Sequence, residues 1–152
     1  MVNPALLNAL LQDDFYRRPP PKSAGREQYG EELVGRLIRT GLAGEDLVAT
    51  VTRLTAVTIA EAICASVEHS GAIDEVIASG GGVKNPFLMH CLREELPKKL
   101  KLTTTARRGV DPDFKEAIAF AVLAYETCLG RASSVPSATG ACHSVVLGKV
   151  SY

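Results

Sequence analysis

Apolar residues recur at helical spacing through the first half of the chain and shorten into strand-like runs in the second. Leu47, Val51, Leu54, Val57, Ala60, Ile63 and Cys64 share one helical face and predict a long helix over about Glu45–His69, closed by Gly71. A shorter helix is predicted over Glu31–Arg39, ending at Gly41, and a short amphipathic one within residues 1–14. Between them Pro19, Pro20 and Pro21 force a donor-poor, extended loop over residues 15–30. Further on come a strand at Glu75–Ala78, a helix from Pro86 to about Leu96 that stops at Pro97, and a second strand at Leu100–Thr104. Asp111-Pro112 has the chemistry of an N-cap and first helical position, and opens a predicted helix to about Leu129. Phe114, Ile118, Ala121, Val122 and Tyr125 share its apolar face, and Gly130 ends it. A Ser/Pro/Gly-rich stretch at 133–140 leads to Val145–Val150, expected as a last edge strand. The pattern is α/β, a single domain over residues 1–152 whose helices flank a small sheet with a βαβα core.

The most informative stretch is Val76–Met89. An apolar strand runs into Gly80, Gly81 and Gly82, and Asn85-Pro86 then has the signature of a helix start. Three glycines let the backbone approach a flat or anionic ligand, and the helix start adds N–H groups aimed at the same spot. The stretch reads either as a nucleotide-contacting loop or as a plain tight turn. The dinucleotide fingerprint fails, because Asn85 stands where a third glycine or alanine is needed, and Lys101–Thr105 ends without a ribose-binding acid. No Gly-Lys-Ser/Thr triplet occurs, which excludes a P-loop. Lys84 is expected as a solvated surface lysine, with approach to a phosphate as the alternative.

Composition narrows the partners. Lys plus Arg equals Asp plus Glu at 17 each, so no long-range field draws in nucleic acid or an anionic membrane. At 46% apolar and 22% charged residues, 152 in all, the chain is suited to one folded core, and no apolar run is expected to reach bilayer length. The apolar amino terminus lacks a basic region and meets Gln12-Asp13-Asp14 at once, which argues for a short helix and against a leader. Cys64, Cys91, Cys128 and Cys142 show no metal or redox spacing. Cys64 and Cys128 are expected as buried thiols, in a reducing compartment taken to be the cytoplasm. Cys142-His143 has no further ligand nearby and is set aside, and no metal site is assigned.

Three segments together resemble anhydro-N-acetylmuramic acid kinase: Pro19-Pro20-Pro21-Lys22-Ser23-x-Gly25-Arg26-Glu27, Ser79-Gly80-Gly81-Gly82-x-x-Asn85-Pro86-x-Leu88-Met89, and Lys115-Glu116-Ala117-x-Ala119-Phe120-Ala121-x-Leu123-Ala124. Their order and the closing Pro136-Ser137-x-Thr139-Gly140-Ala141 match as well. The resemblance implies part of an actin-like, ribonuclease-H-like ATPase fold, the carboxyl-terminal lobe. It implies ATP and Mg²⁺ as cofactors, hydrolytic opening of the 1,6-anhydro sugar with phosphorylation at O6, and a role in cell-wall recycling. Gly80, Gly81, Gly82 and Asn85 then form the nucleotide-binding motif. Glu116 is a substrate-side candidate, beside the plainer reading of an acid favoured by its helix dipole. Lys22, Ser23, Arg26 and Glu27 are expected to hold the proline loop by charge, with a part in shaping the sugar side of the cleft as the lesser reading.

The departures matter as much. The Ser-Gly-Thr-Ser-x-Asp-Gly phosphate hairpin does not occur in these residues, nor does the Asp-Thr-Gly-Pro-Gly-Asn segment whose companion acid is the expected base. Phosphoryl transfer is mostly positioning and charge neutralisation, so one nucleotide wall without those parts is expected to be inactive alone. An unpaired sheet edge and a bare lobe face are expected too, with a missing lobe or self-association to cover them. Two other readings stay open: a non-catalytic nucleotide-binding or interaction module, and another carbohydrate kinase of the actin-like superfamily.

Overall fold

Asn3 starts the fold: its Oδ1 accepts the Leu6 N–H at 2.9 Å and caps helix α1 (Pro4–Leu10). The computed structural model describes residues 1–19, 22–25, 27–70 and 73–149, without the side chains of 67–70. Helix α2 (Asp14–Arg17) follows at once, so the expected loop over 15–30 begins with a helical turn. Asp13 causes this, because its Oδ1 accepts the Phe15 N–H at 2.8 Å and nucleates the turn. Pro20, Pro21 and Arg26 lie outside the described residues.

Helix α3 (Glu31–Ile38) ends near Gly41, whose φ of 71° is the left-handed stop the sequence predicts. Helix α4 (Gly44–Ser70) is the long helix, one residue longer at each end than expected. The expected stop at Gly71 lies outside the described residues. Four threonines in its interior donate to carbonyls one turn back, Thr50 to Asp46 at 2.6 Å and Thr52 to Val48 at 2.8 Å among them. Their hydroxyls are thus satisfied within the helix, and their methyls are free to pack. Over Gly44–Ser66, α4 is long and apolar enough to cross a membrane by length and composition alone, which corrects the expectation that no run reaches that length. In this fold it packs instead: Ala56 and Ala60 sit in a core with Cys91, Leu92, Leu96 and Leu100.

Strands β1 (Glu75–Ala78) and β2 (Lys101–Thr104) pair in parallel, with Val76 opposite Leu102 and Ile77 opposite Thr103. Helix α5 (Pro86–Glu95) makes the crossover between them. Val76 and Leu102 pack against the core that α5 and α4 share. The small side chains of Ala56 and Ala60 let α4 come close to α5. Arg53 then ties the two helices by pairing with Glu94 at 2.5 Å and with Glu95. On its other side α4 holds α1: Thr50, fully buried, accepts the Asn3 N–H at 2.9 Å.

The last third departs from the sequence reading. Helix α6 (Lys115–Cys128) starts later than Asp111-Pro112, because Asp111 Oδ1 accepts the Asp113 N–H at 2.9 Å and closes a separate turn first. None of its residues is buried. After helix α7 (Pro136–Thr139), residues 145–149 form no strand, and Val150 lies outside the described residues. Val145 spends its backbone groups on a clasp, its N–H donating to Ser134 Oγ at 2.8 Å and its carbonyl accepting the Ser133 N–H at 3.1 Å. The buried thiol is Cys91; Cys64 is half-buried and Cys128 exposed, since no described residue buries any part of α6.

Candidate functional site

The glycine stretch lies where a parallel α/β pair presents its ligands, beyond the carboxyl ends of the strands. Gly80 follows β1 with φ 85° and ψ −176°, a region that essentially only glycine visits. Gly81–Lys84 then form one 3-10 turn, and Asn85 ends it. A Cβ built on Gly80 or Gly81 meets nothing within 4 Å, so the space in front of the turn is open. At Gly82 a Cβ would touch Leu88 at 3.4 Å, which keeps the turn close to α5. The three glycines therefore differ: Gly80 sets the chain direction, Gly81 faces open space, and Gly82 lies against Leu88.

Asn85 is the N-cap the sequence predicts. Its Oδ1 accepts the N–H groups of Phe87 and Leu88, both at 3.1 Å, and Pro86 takes the first helical position. Across the strand ends, Ser79 Oγ and Thr105 Oγ1 share a hydrogen bond at 3.0 Å, linking the glycine turn to the 3-10 turn Thr105–Arg108 that follows β2. An apolar groove of about 510 Å³ flanks the turn, lined by Val48, Ala49, Thr52, Asn85 and Phe87 among others.

The charges around the turn are engaged. Lys84 pairs with Asp113 at 2.5 Å, and that hydrogen bond raises its pKa. The lysine is exposed, as expected, yet it has a partner, and through Asp113 it joins the turn to the segment leading into α6. Glu75, at the far end of β1, accepts from Thr103 Oγ1 at 2.9 Å and pairs with Arg108. The Thr103 hydrogen bond, and then that from Arg108, hold its carboxyl below the usual range. Glu116 sits in the first turn of α6, exposed, and no hydrogen bond or ion pair joins its carboxylate to another described residue. Among the described residues no three His, Cys, Asp or Glu side chains converge.

The loop charges divide. Lys22 Nζ donates to the carbonyls of Phe15 and Tyr16 at 2.9 and 3.1 Å and lies 4.9 Å from the Phe15 ring centre. Phe15, Tyr16 and Tyr29 form one ring cluster beside it, and burial pushes the Tyr16 phenol up, helped by its hydrogen bond with Tyr29. Sequence reasoning missed this cluster, although three aromatics flanking a proline run were the available signal. It also missed the Ser79–Thr105 pair, which depends on register and leaves no trace in local pattern.

Together these elements define a class: an α/β protein with an open glycine turn at the carboxyl end of a parallel strand pair. The family model for anhydro-N-acetylmuramic acid kinase matches residues 1–152, and the chain belongs to that family of sugar kinases. It is 40% identical to the anhydro-N-acetylmuramic acid kinase of Caldanaerobacter subterraneus over 99% of its length, 43% identical to that of Salinibacter ruber over 96%, and 41% identical to that of Streptomyces coelicolor over 98%. Those alignments cover 39%, 38% and 37% of the respective relatives, in their carboxyl-terminal portion. The chain thus spans less than two-fifths of the length of the relatives it matches.

Proposed function

We propose that this chain is the nucleotide-side, carboxyl-terminal part of an ATP-dependent anhydro-N-acetylmuramic acid kinase, one lobe of an actin-like fold, inactive alone and working in the cytoplasm in cell-wall sugar recycling. The observation that carries the reading is the open glycine turn, with clear space at Gly81 beside the Asn85-capped start of α5. ATP, when bound, supplies the phosphoryl group that goes to O6 of the sugar as water opens the 1,6-anhydro bond. The chain's own part is positional. Gly80–Gly82 give a backbone surface on which a nucleotide lies without a Cβ to hold it off. Asn85 fixes the direction of α5 and hence of its first N–H groups.

Glu116 is the substrate-side acid of this reading. It is unpaired among the described residues, and the Lys84–Asp113 pair ties the segment just before it to the nucleotide turn. Mg²⁺ in such sites is held by the nucleotide phosphates, water and one or two carboxylates, and the carboxylate joined to this turn, that of Asp113, is already paired with Lys84. On this reading the phosphate hairpin and the general base are supplied from outside the matched portion.

Titration calorimetry with ATP on the parent chain and on Gly81→Val tests the turn. A Cβ meets no protein atom there, so the variant is expected to keep its fold and lose affinity by about tenfold or more, as when a side chain intrudes on a ligand. Equal affinities, or no binding by the parent, would sink the nucleotide assignment.

A further inference from the structure

The equal totals of basic and acidic residues hide an uneven placement. Residues 93–108 hold six of the 17 Lys and Arg but two of the 17 Asp and Glu. Arg93, Lys98, Lys99, Lys101, Arg107 and Arg108 are all exposed. The two acids, Glu94 and Glu95, are engaged by Arg53 of α4. Arg108 is paired with Glu75, and the other five cations form no ion pair with a described residue.

The fold gathers most of this charge at one end. Arg93 stands in the last turn of α5. The Leu100 N–H donates to the Pro97 carbonyl at 2.8 Å and closes the turn that carries Lys98 and Lys99. Lys101 then opens β2 opposite Glu75, where Arg108 also reaches. Asn85 and the glycine turn lie at the other end of α5, about 15 Å away along its 10 residues. A cation in the last turn is the ordinary complement of a helix carboxyl end, and Arg93 fills that part. Lys98, Lys99 and Lys101 exceed it. Burying an ammonium group without a paired acid is strongly unfavourable, so this end is a surface by its own chemistry.

We infer that Arg93, Lys98, Lys99 and Lys101, with Arg108 beside them, form a docking patch for an anionic phospholipid surface. A bilayer asks for several long cationic side chains on one end and for no shaped pocket, and clusters of about four to eight are the usual size. The patch has that size, and the grooves lined by Tyr16 and by Phe87 lie on other parts of the fold. Nucleic acid fits less well, because no aromatic residue stands between Phe87 and Phe114 to stack a base. A folded acidic protein also fits less well. Such interfaces are built round an apolar centre, and Leu96 and Leu100 are turned into the core.

The inference stands apart from the kinase reading, and its test reads vesicle binding. Co-sedimentation uses the 152-residue chain and a chimera in which it replaces the matched portion of the Salinibacter ruber relative. Vesicles of phosphatidylcholine with about 30% phosphatidylglycerol are compared with phosphatidylcholine alone. Both proteins should bind the anionic vesicles at about 0.05 M salt, release them at about 0.5 M, and ignore the neutral ones. Lys98→Glu/Lys99→Glu should weaken binding about tenfold or more, and Lys98→Gln/Lys99→Gln by a smaller factor, with unchanged thermal melts. Arg36→Glu/Arg39→Glu, the same charge change on α3, should leave binding as it was. Equal binding to neutral vesicles, equal loss in both charge-reversed pairs, or no binding by the chimera would overturn the inference. So would equally tight binding to polyglutamate or duplex DNA, which would assign the patch to polyanions at large.

Discussion

Helices α5 and α6 follow the two strands of one small sheet, and they meet opposite fates. α5 is rich in charge, with Arg93, Glu94 and Glu95 in its last turn, yet Cys91 and Leu92 are buried against Ala56 and Ala60. α6 is the more apolar sequence and buries nothing. The difference teaches that burial here is decided by which surface exists to pack on, since α4 supplies one for α5 and no described element supplies one for α6. Hydrophobicity alone does not choose.

The contrast is easiest to break in the core. Leu92→Ala should destabilise the free chain by about 2–5 kcal/mol, the cost of a cavity between α4 and α5. Phe120→Ala should change it by no more than about 0.5 kcal/mol, because the ring is largely exposed. Urea unfolding of the pair checks both, and a large effect of Phe120→Ala would show that α6 is packed after all.

Smaller effects come from the turn between the strands. Gly80→Ala forces a side chain into a glycine-only region and should cost about 1–3 kcal/mol. Asn85→Ala removes the α5 cap and should cost about 1 kcal/mol. Thermal melts rank them, and a Gly80→Ala variant as stable as its parent would mean the turn relaxes freely.

The smallest expected effect is electrostatic. The Arg53 hydrogen bond holds the Glu94 carboxyl below its usual range. A depressed folded pKa stabilises above the unfolded value, and that stability is lost as pH falls through the folded one. Thermal melts should therefore decline slightly below about pH 4, the ordinary glutamate range. Arg53→Met should flatten the share that belongs to Glu94 and leave that of Glu75, which Thr103 and Arg108 hold. An unchanged pH profile in Arg53→Met would remove the α4–α5 ion pairs from the account.

Much of this was legible in the chain. Gly41, Asn85-Pro86 and the spacing of Leu54, Val57 and Ala60 mark their elements correctly, because caps and helical periods are local chemistry. Asp111-Pro112 misled, since the same aspartate closes its own turn as readily as it caps a helix. Val145–Val150 reads as a strand because its apolar run is strand-like, but a ladder needs a neighbouring edge, and Ser133 and Ser134 took the backbone groups of Val145 first. Cys128, expected to be buried, is exposed, and Cys91 is the buried thiol, for the reason that separates α5 from α6. At the site, Gly80–Gly82 and Asn85 were readable as a unit, whereas Asp113 on Lys84 and Ser79 on Thr105 join residues 26 to 29 positions apart. Such pairs are set by register and crossover, which no local pattern encodes.

The central claim is that this chain holds one wall of a kinase site and not the whole. The direct measurement is ATP-dependent conversion of 1,6-anhydro-N-acetylmuramic acid by the purified 152-residue chain, run beside the chimera with the Salinibacter ruber amino-terminal region. The account predicts no turnover by the chain alone and turnover by the chimera. Turnover by the chain alone would contradict it.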